Sequence, residues 1–304
     1  MSSPVPSPVP SPVPAPDPSP ASPPAAPDAA PHRKAPRPQA VLTVQETRWL
    51  SPHLVRVVAG GPGFADLQDC EATDKYAKLL FAKPRLGLVP PYDLAALKDE
   101  LAPGDRPVKR TYTIRWLDRA SRRLAIDFVV HGDAGIAGPW AAAAVPGDSL
   151  VLMGPSGKWS PDQDADWHLF VGDDSALPAV AAGIEALHPA AVGHAYLEVD
   201  GAADVIPLRA PAGLELHWLF RDGQAAGTTT LLADAVADGP WPDGRVDAFV
   251  HGERGAMKAL RDVLFRDRGL ARSQVSLSGY WAYGREEDTF QAEKREPIGK
   301  ILDD

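Results

Sequence analysis

Residues Pro107–Leu117 read PVKRTYTIRWL, a run rich in β-branched and aromatic side chains with no proline after its first residue. Such a run predicts a strand. Successive side chains of a strand point to opposite faces. Arg110, Tyr112 and Ile114 are therefore expected on one face and Thr111, Thr113 and Arg115 on the other, unless a bulge intervenes. A strand carrying a guanidinium, an aromatic ring and a small hydroxyl offers what a flavin dinucleotide needs. The guanidinium forks onto a pyrophosphate, the ring lies against the isoalloxazine, and the hydroxyl meets a polar edge of that ring. The hexapeptide Arg110–Arg115 equally suits an ordinary edge strand with a solvated face, so the segments around it decide.

Those segments are β-patterned from Gln39 to Pro155. Six strand-like runs follow one another: AVLTVQETRWL, HLVRVVAGG, DKYAKLLFAK, RTYTIRWLD, RRLAIDFVVHG and SLVLMGP. Turn signals such as GGPG, APGD and VPGD punctuate them. Six consecutive strands predict a closed or nearly closed antiparallel β-barrel, which removes exposed edges. The insertion PPYDLAALKDELAPGD between the third and fourth runs is expected to hold a short helical turn on the surface. From Asp166 the pattern changes to strand–helix alternation. DWHLFVGD, VGHAYLEVD, LELHWLF, VDAFVHGE and QVSLSGYWAYG read as strands, and SALPAVAAGIEAL, GTTTLLADAVAD and GAMKALRDVLFRD as helices. This alternation predicts a parallel sheet covered by helices, with a ligand at the carboxyl ends of its strands. Beyond Gly284 a charged, partly helical tail is expected.

Composition narrows the class. A chain of 304 residues has room for two domains. Its formal net charge of −9 argues against a nucleic-acid partner. Cys70 is the one cysteine, so a single chain holds no internal disulfide and no Cys-ligated cluster. Residues 1–38 carry 15 of the 33 prolines and almost no large apolar side chain, the composition of a disordered, locally polyproline-II tail. That stretch lacks the apolar core of a secretory signal, and no run approaches the roughly 20 apolar residues of a membrane span. The expectation is a cytoplasmic monomer with no membrane partner.

Three further segments carry candidate chemistry. In Asp127–Asp148, DFVVHGDAGIAGPWAAAAVPGD, a strand ends at His131 and a turn of small residues leads into a helix start at Pro139 and Trp140. Backbone N–H groups near Ala137 and Gly138 could approach a phosphate there; a plain strand–turn–helix connection reads the same way. In Val171–Val180, VGDDSALPAV, Asp173, Asp174 and Ser175 occupy the turn and N-cap positions of the next helix. This is not the G-x-G-x-x-G fingerprint. In Ser278–Gly284, SGYWAYG, the aromatic rings suit either a cover over a flavin face or packing between domains. Lys75 and Lys78 flank Tyr76 and could meet an anionic ligand. The histidines at 131, 168, 188, 194, 217 and 251 show no metal-ligand spacing along the chain, so no metal site is expected.

Taken in order, RTYTIR, DFVVHG, GIAGPWA, PGD, GDDSALPAV, HGE and GYW resemble the siderophore-interacting protein family, FAD-dependent ferric-siderophore reductases of the ferredoxin–NADP reductase superfamily. The likeness runs from about residue 40 onward. It implies an FAD-binding barrel over 39–158, an NAD(P)-binding-like Rossmann-type α/β domain over 159–284 and a C-terminal tail over 285–304. By position, it implies that Arg110, Tyr112 and Thr113 hold the FAD pyrophosphate, stack on the ring and contact its reactive edge. His131, with the backbone of Ala137, Gly138 and Trp140, falls in the FAD-binding turn. Asp174 and Ser175 match an acid and a hydroxyl beside the flavin and nicotinamide, Trp281 falls in the G-Y-W cover, and Lys78 matches a lysine that helps hold the anionic ferric siderophore. Gly138 and Pro139 replace a common Ser and Arg, Asp174 a common Glu, and Ala282 and Tyr283 the basic residues that often follow G-Y-W.

The implied activity is transfer of electrons from NADH or NADPH through FAD to siderophore-bound Fe(III), with no protein side chain acting as acid or base. Ferredoxin is another donor consistent with the resemblance, and Asp200, Arg209 and Arg221 fall near strand ends where a ribose or its phosphate could be read. A flavin oxidoreductase with another acceptor, a non-catalytic flavin- or siderophore-binding protein, and a structural protein with coincidental motifs are the alternatives.

Overall fold

The computed structural model describes Met1 and residues 38–132 and 135–302. The proline-rich tail read as disordered lies, but for Met1 and Pro38, outside the described residues. The six β-patterned runs form β1 (Ala40–Ser51), β2 (Leu54–Gly60), β3 (Tyr76–Phe81), β4 (Val108–Asp118), β5 (Arg123–Val129) and β6 (Ser149–Ser156). They close a barrel in the order β1-β2-β5-β4-β3-β6, with every neighbouring pair antiparallel. Alternation along the strands sends Leu42, Val57, Leu79, Ile126, Phe128 and Leu152 inward, where they are fully buried. The insertion after β3 forms α1 (Leu94–Glu100), N-capped by Asp93, whose carboxylate accepts from the N–H groups of Ala95 and Ala96, each at 3.0 Å. A second short helix, α2 (Ala137–Ala143), packs its Ala137 and Ala141 against the barrel core.

The strict alternation expected of β4 breaks at Arg115. Ile114 pairs with Ile126, but the next partner, Ala125, faces Trp116, so β4 carries one extra residue there. This bulge lets Ile114 stay in the barrel core while Arg115 points outward to the second domain.

That domain comprises β7 (Trp167–Gly172), α3 (Leu177–Glu185), β8 (Val192–Val199), β9 (Gly213–Phe220), α4 (Leu231–Asp238), β10 (Val246–Glu253), α5 (Arg254–Arg261) and β11 (Val275–Trp281). Its five strands are parallel in the order β11-β10-β7-β8-β9. Every residue of β7 and β10 is buried, as central strands covered on both faces must be. On one face Phe170, Val180, Ile184 and Phe249 pack with α3; on the other Trp167, Val171, Leu232, Met257 and Leu260 pack with α4 and α5. The chain passes from β7 outward through β8 and β9, then returns to the far side of β7 through β10. The order therefore reverses between β7 and β10, where the loops diverge and leave a crevice. Arg115 donates twice to Glu185 on α3, at 2.9 and 2.6 Å, and so clamps the barrel to the α/β domain. The charged tail forms α6 (Glu287–Glu293), seated by Phe290, which is 1% exposed, and by Glu293, which accepts from Arg254 at 2.5 Å and Arg285 at 2.8 Å.

Candidate active site

A cavity of about 700 Å³ opens where the barrel mouth meets the carboxyl ends of β7 and β11. Its barrel wall carries Tyr76, Lys78, Thr111, Tyr112, Thr113 and His131; its opposite wall carries Asp174, Ser175 and Trp281. Tyr112 rests on the buried Phe128 ring, with centroids 4.6 Å apart. Burial pushes its phenol up to about 12, so it stays neutral.

Asp173, one residue before Asp174, organises the opposite wall. Its Oδ1 accepts from the Ser175 N–H at 3.0 Å and hydroxyl at 2.5 Å, and from the Ala176 N–H at 3.3 Å. Its Oδ2 accepts from the Glu253 N–H at 2.8 Å and from the Trp281 indole N–H at 2.9 Å. One buried carboxylate thus ties the ends of three strands together and fixes the Trp281 ring. Gly252 permits this: a Cβ there would stand 2.9 Å from Asp173 Oδ2. The two adjacent acids, both expected at the helix cap, are divided in role. Both line the cavity, but Asp173 is taken up by the turn and the neighbouring strands, whereas Asp174 accepts from Arg221 at 2.7 Å. Arg221 lies 3.6 Å from Glu198 and 3.9 Å from Asp200, so three carboxylates surround one buried guanidinium. Burial raises Asp174 to about 7 against the pull of Arg221, and Asp173 adds to the rise; burial likewise raises Glu198.

The neighbouring Tyr280 is held by His251, whose Nδ1 lies 3.0 Å from the phenol oxygen and whose Nε2 lies 2.9 Å from Ser276 Oγ. Burial drives His251 down to about 3, which leaves it neutral.

Of the residues singled out from sequence, Tyr112, Thr113, His131, Asp174, Ser175, Trp281 and Lys78 come together on this cavity. Four do not line it. Arg110 donates to Asp288 of α6 at 3.1 Å and to the Lys109 carbonyl at 2.8 Å. Ala137 and Gly138 are buried against the barrel, and a Cβ at Gly138 would stand 3.0 Å from the Val129 carbonyl. The Trp140 N–H donates to the Ile136 carbonyl at 3.2 Å, and its ring packs on Phe81 and Phe128.

Residues not singled out join the site. Glu287, Gln291 and Lys294 of the C-terminal segment line the cavity, as does Asp127; Tyr280, one of the rings of the SGYWAYG segment, lines it as well. Asp127 is held by Arg56 through two bonds, at 2.6 and 2.7 Å. The signal for α6 in the sequence is a lone buried-type residue, Phe290, within a polar run. That is too sparse for a hydrophobic period. Lys78 donates to Thr111 Oγ1, and Lys294 lies 4.6 Å over the Phe290 ring; burial, with Lys78 nearby, lowers its pKa.

The donor set suits FAD. A cavity of this size lies in the range of cofactor sites, an aromatic face is presented by Tyr112, and hydroxyls, an imidazole and two ammonium groups share the walls. Among the described residues no helix is long and apolar enough to cross a membrane.

Comparison with known proteins agrees with this architecture. Residues 43–159 match the siderophore-interacting FAD-binding domain and residues 165–284 match the siderophore-interacting protein domain. An uncharacterised protein of Mycobacterium tuberculosis is 44% identical over 274 residues, covering 86% of this chain and 96% of the relative. Ferric vibriobactin reductase ViuB of Vibrio cholerae is 32% identical over 249 residues, covering 81% and 90%. The crystal structure of a siderophore utilization protein from T. fusca superposes with a TM-score of 0.72 at 39% identity, covering 83% of this chain and 95% of that one. A closed six-stranded barrel joined to a parallel α/β sheet, with both domains matched in order and relatives aligned along most of their length, establishes that the chain belongs to the siderophore-interacting protein family.

Proposed function

We propose that this chain is an FAD-dependent ferric-siderophore reductase that takes electrons from NADH or NADPH. The observation that carries the reading is one cavity, shared by the barrel and the carboxyl ends of the sheet, lined by Tyr112, Thr113, His131, Asp174, Ser175 and Trp281. The name of ViuB, a ferric vibriobactin reductase, supports the same chemistry. When bound, FAD supplies the exchange between a two-electron hydride donor and one-electron Fe(III) acceptors, so each nicotinamide serves two ferric ions.

The chain's own residues bind, orient and exclude water. In this reading Tyr112 lies against one face of the flavin, backed by Phe128, and Thr113 bonds its edge. Trp281, fixed by Asp173, covers the approach used by the nicotinamide. Asp174 and Ser175 bond groups at that approach. Arg110 and His131, with the N–H groups at the start of α2, hold the pyrophosphate; Arg110 turns from Asp288 to do so. Lys78 and Lys294 face the anionic ferric siderophore. Lys294 compensates for the neutral residues Ala282 and Tyr283 after G-Y-W. Fe(III) is substrate, and reduction releases it because Fe(II) binds hard oxygen donors more weakly.

The test is an anaerobic visible spectrum of the FAD-loaded protein, taken first with NADH or NADPH and then with a ferric siderophore and an Fe(II) trap. Flavin bands that bleach with nicotinamide and return as trapped Fe(II) accumulates are the expected result. Bands that stay oxidised would overturn nicotinamide as the donor. Reoxidation without Fe(II) would overturn the ferric acceptor. Failure to retain FAD would overturn the whole assignment.

A further inference from the structure

At the amino ends of β8 and β9, away from the cavity, three side chains converge that lie far apart in sequence. Parallel pairing sets His194 beside Glu215 and Tyr196 beside His217. Residues two apart on a strand share a face, so both imidazoles and the carboxylate project together. His194 Nδ1 lies 3.2 Å from His217 Nε2, and Glu215 Oε2 lies 3.7 Å from each nitrogen. The carboxylate is too distant to accept a hydrogen bond from either ring. The point equidistant from the three atoms, however, lies about 2.1 Å from each, which is the length of a zinc–nitrogen or zinc–carboxylate bond.

The rings are positioned by packing. His217 stacks on Tyr196 with centroids 4.7 Å apart and planes 16° from parallel, and His194 stands edge-on to the buried Trp167 at 6.4 Å. Tyr196 and Trp167 belong to the core under α4 and α5, so the two histidines rest on a rigid base. Glu215 is 68% exposed, which leaves the outer side of the site open to water.

We propose that His194, Glu215 and His217 form a binding site for a divalent first-row transition-metal ion, with zinc(II) as the representative ligand. Two imidazoles and one carboxylate suit zinc and its neighbours, whereas magnesium and calcium require oxygen ligands. Linear spacing does not reveal the site because the strand pairing, and no local motif, brings the residues together. The site lies on a different part of the sheet from the cavity, and none of its three residues lines that cavity.

The test uses the full chain without an affinity tag, loaded with FAD and freed of metal by chelator. Cobalt(II) is titrated and followed by its visible bands beyond those of the flavin, then displaced with zinc(II). The expected result is saturation at one cobalt per chain, displacement by one zinc, and indifference to excess magnesium. Glu215→Gln and His217→Ala should each weaken binding by at least ~10-fold. Glu215→Gln is the deciding variant, since its side chain is exposed and nearly isosteric; an unchanged Tm shows that its fold is intact. No saturable cobalt band, competition by magnesium, or equal affinity in Glu215→Gln would overturn the proposal.

Discussion

Replacing Asp173 by asparagine tests the idea that one carboxylate ties the ends of β7, β10 and β11 together. Asp173 is 6% exposed, and its two oxygens accept from five donors in the turn after β7, on β10 and on β11. An amide keeps the shape but converts one acceptor into a donor. Whichever way it is oriented, at least two N–H groups then face an N–H₂. Hydrogen bonds to a charged group contribute about 1.5–3 kcal/mol each, and stranding a buried donor adds a similar cost. Local adjustment recovers part of the loss, so the expected destabilisation is about 3–5 kcal/mol. For a chain of this size about 1 kcal/mol corresponds to a Tm change of ~2–4 °C, which gives a fall of roughly 6–20 °C. Calorimetry of both proteins at equal FAD concentration measures it, because bound ligand itself shifts Tm. Ser175→Ala removes only the hydroxyl donor and should cost about 1 kcal/mol. An Asp173→Asn Tm within ~2 °C of the parent would refute the reasoning, since donors that tolerate an amide are not held by the carboxylate.

Other outcomes follow from the same geometry. Asp174 holds a proton in the folded state up to about pH 7 but releases it near 3.8 when unfolded. Its contribution to stability is therefore full below about pH 4 and lost as the pH rises through about 7. Asp174→Asn should flatten the decline of Tm over that window; an unchanged slope would contradict the assignment. Phe290→Ala removes the buried anchor of α6 at a cost of about 3–5 kcal/mol, so residues beyond Gly284 should become sensitive to protease and lose amide protection while the barrel does not. Arg115→Ala breaks the double bond pair to Glu185 and leaves that carboxylate with only Arg209, which is 90% exposed, at 3.5 Å. A loss of about 3 kcal/mol is expected, at the lower end for a buried pair; a loss below ~1 kcal/mol in denaturant titration would sink the clamp.

The strand and helix pattern was legible because burial is periodic. Alternation in Leu42–Val44 marks a strand with one buried face, and the uninterrupted buried runs of β7 and β10 mark strands covered on both. The linear motifs marked part of the cavity's wall: Tyr112 lies within β4, Asp174 follows β7 and Trp281 ends β11. What local pattern missed has nonlocal causes. The bulge at Arg115 depends on the competition between the barrel core and Glu185 on another domain. Arg110 is turned to Asp288, 178 residues away.

The sequence by itself thus determined the elements, their order and the chemical types available, because backbone geometry converts apolar period directly into strand or helix. The tertiary structure decided which polar groups meet. Asp173 and Asp174 are neighbours of identical chemistry, yet one accepts N–H groups from its own turn, β10 and β11 and the other shares Arg221 with two further acids. Their different roles arise from desolvation and partner geometry, which are properties of the assembled interior. The same holds for His194 and His217, 23 residues apart in the chain and 3.2 Å apart in the fold. Only the register of β8 against β9 brings their nitrogens and the Glu215 carboxylate within reach of one ion.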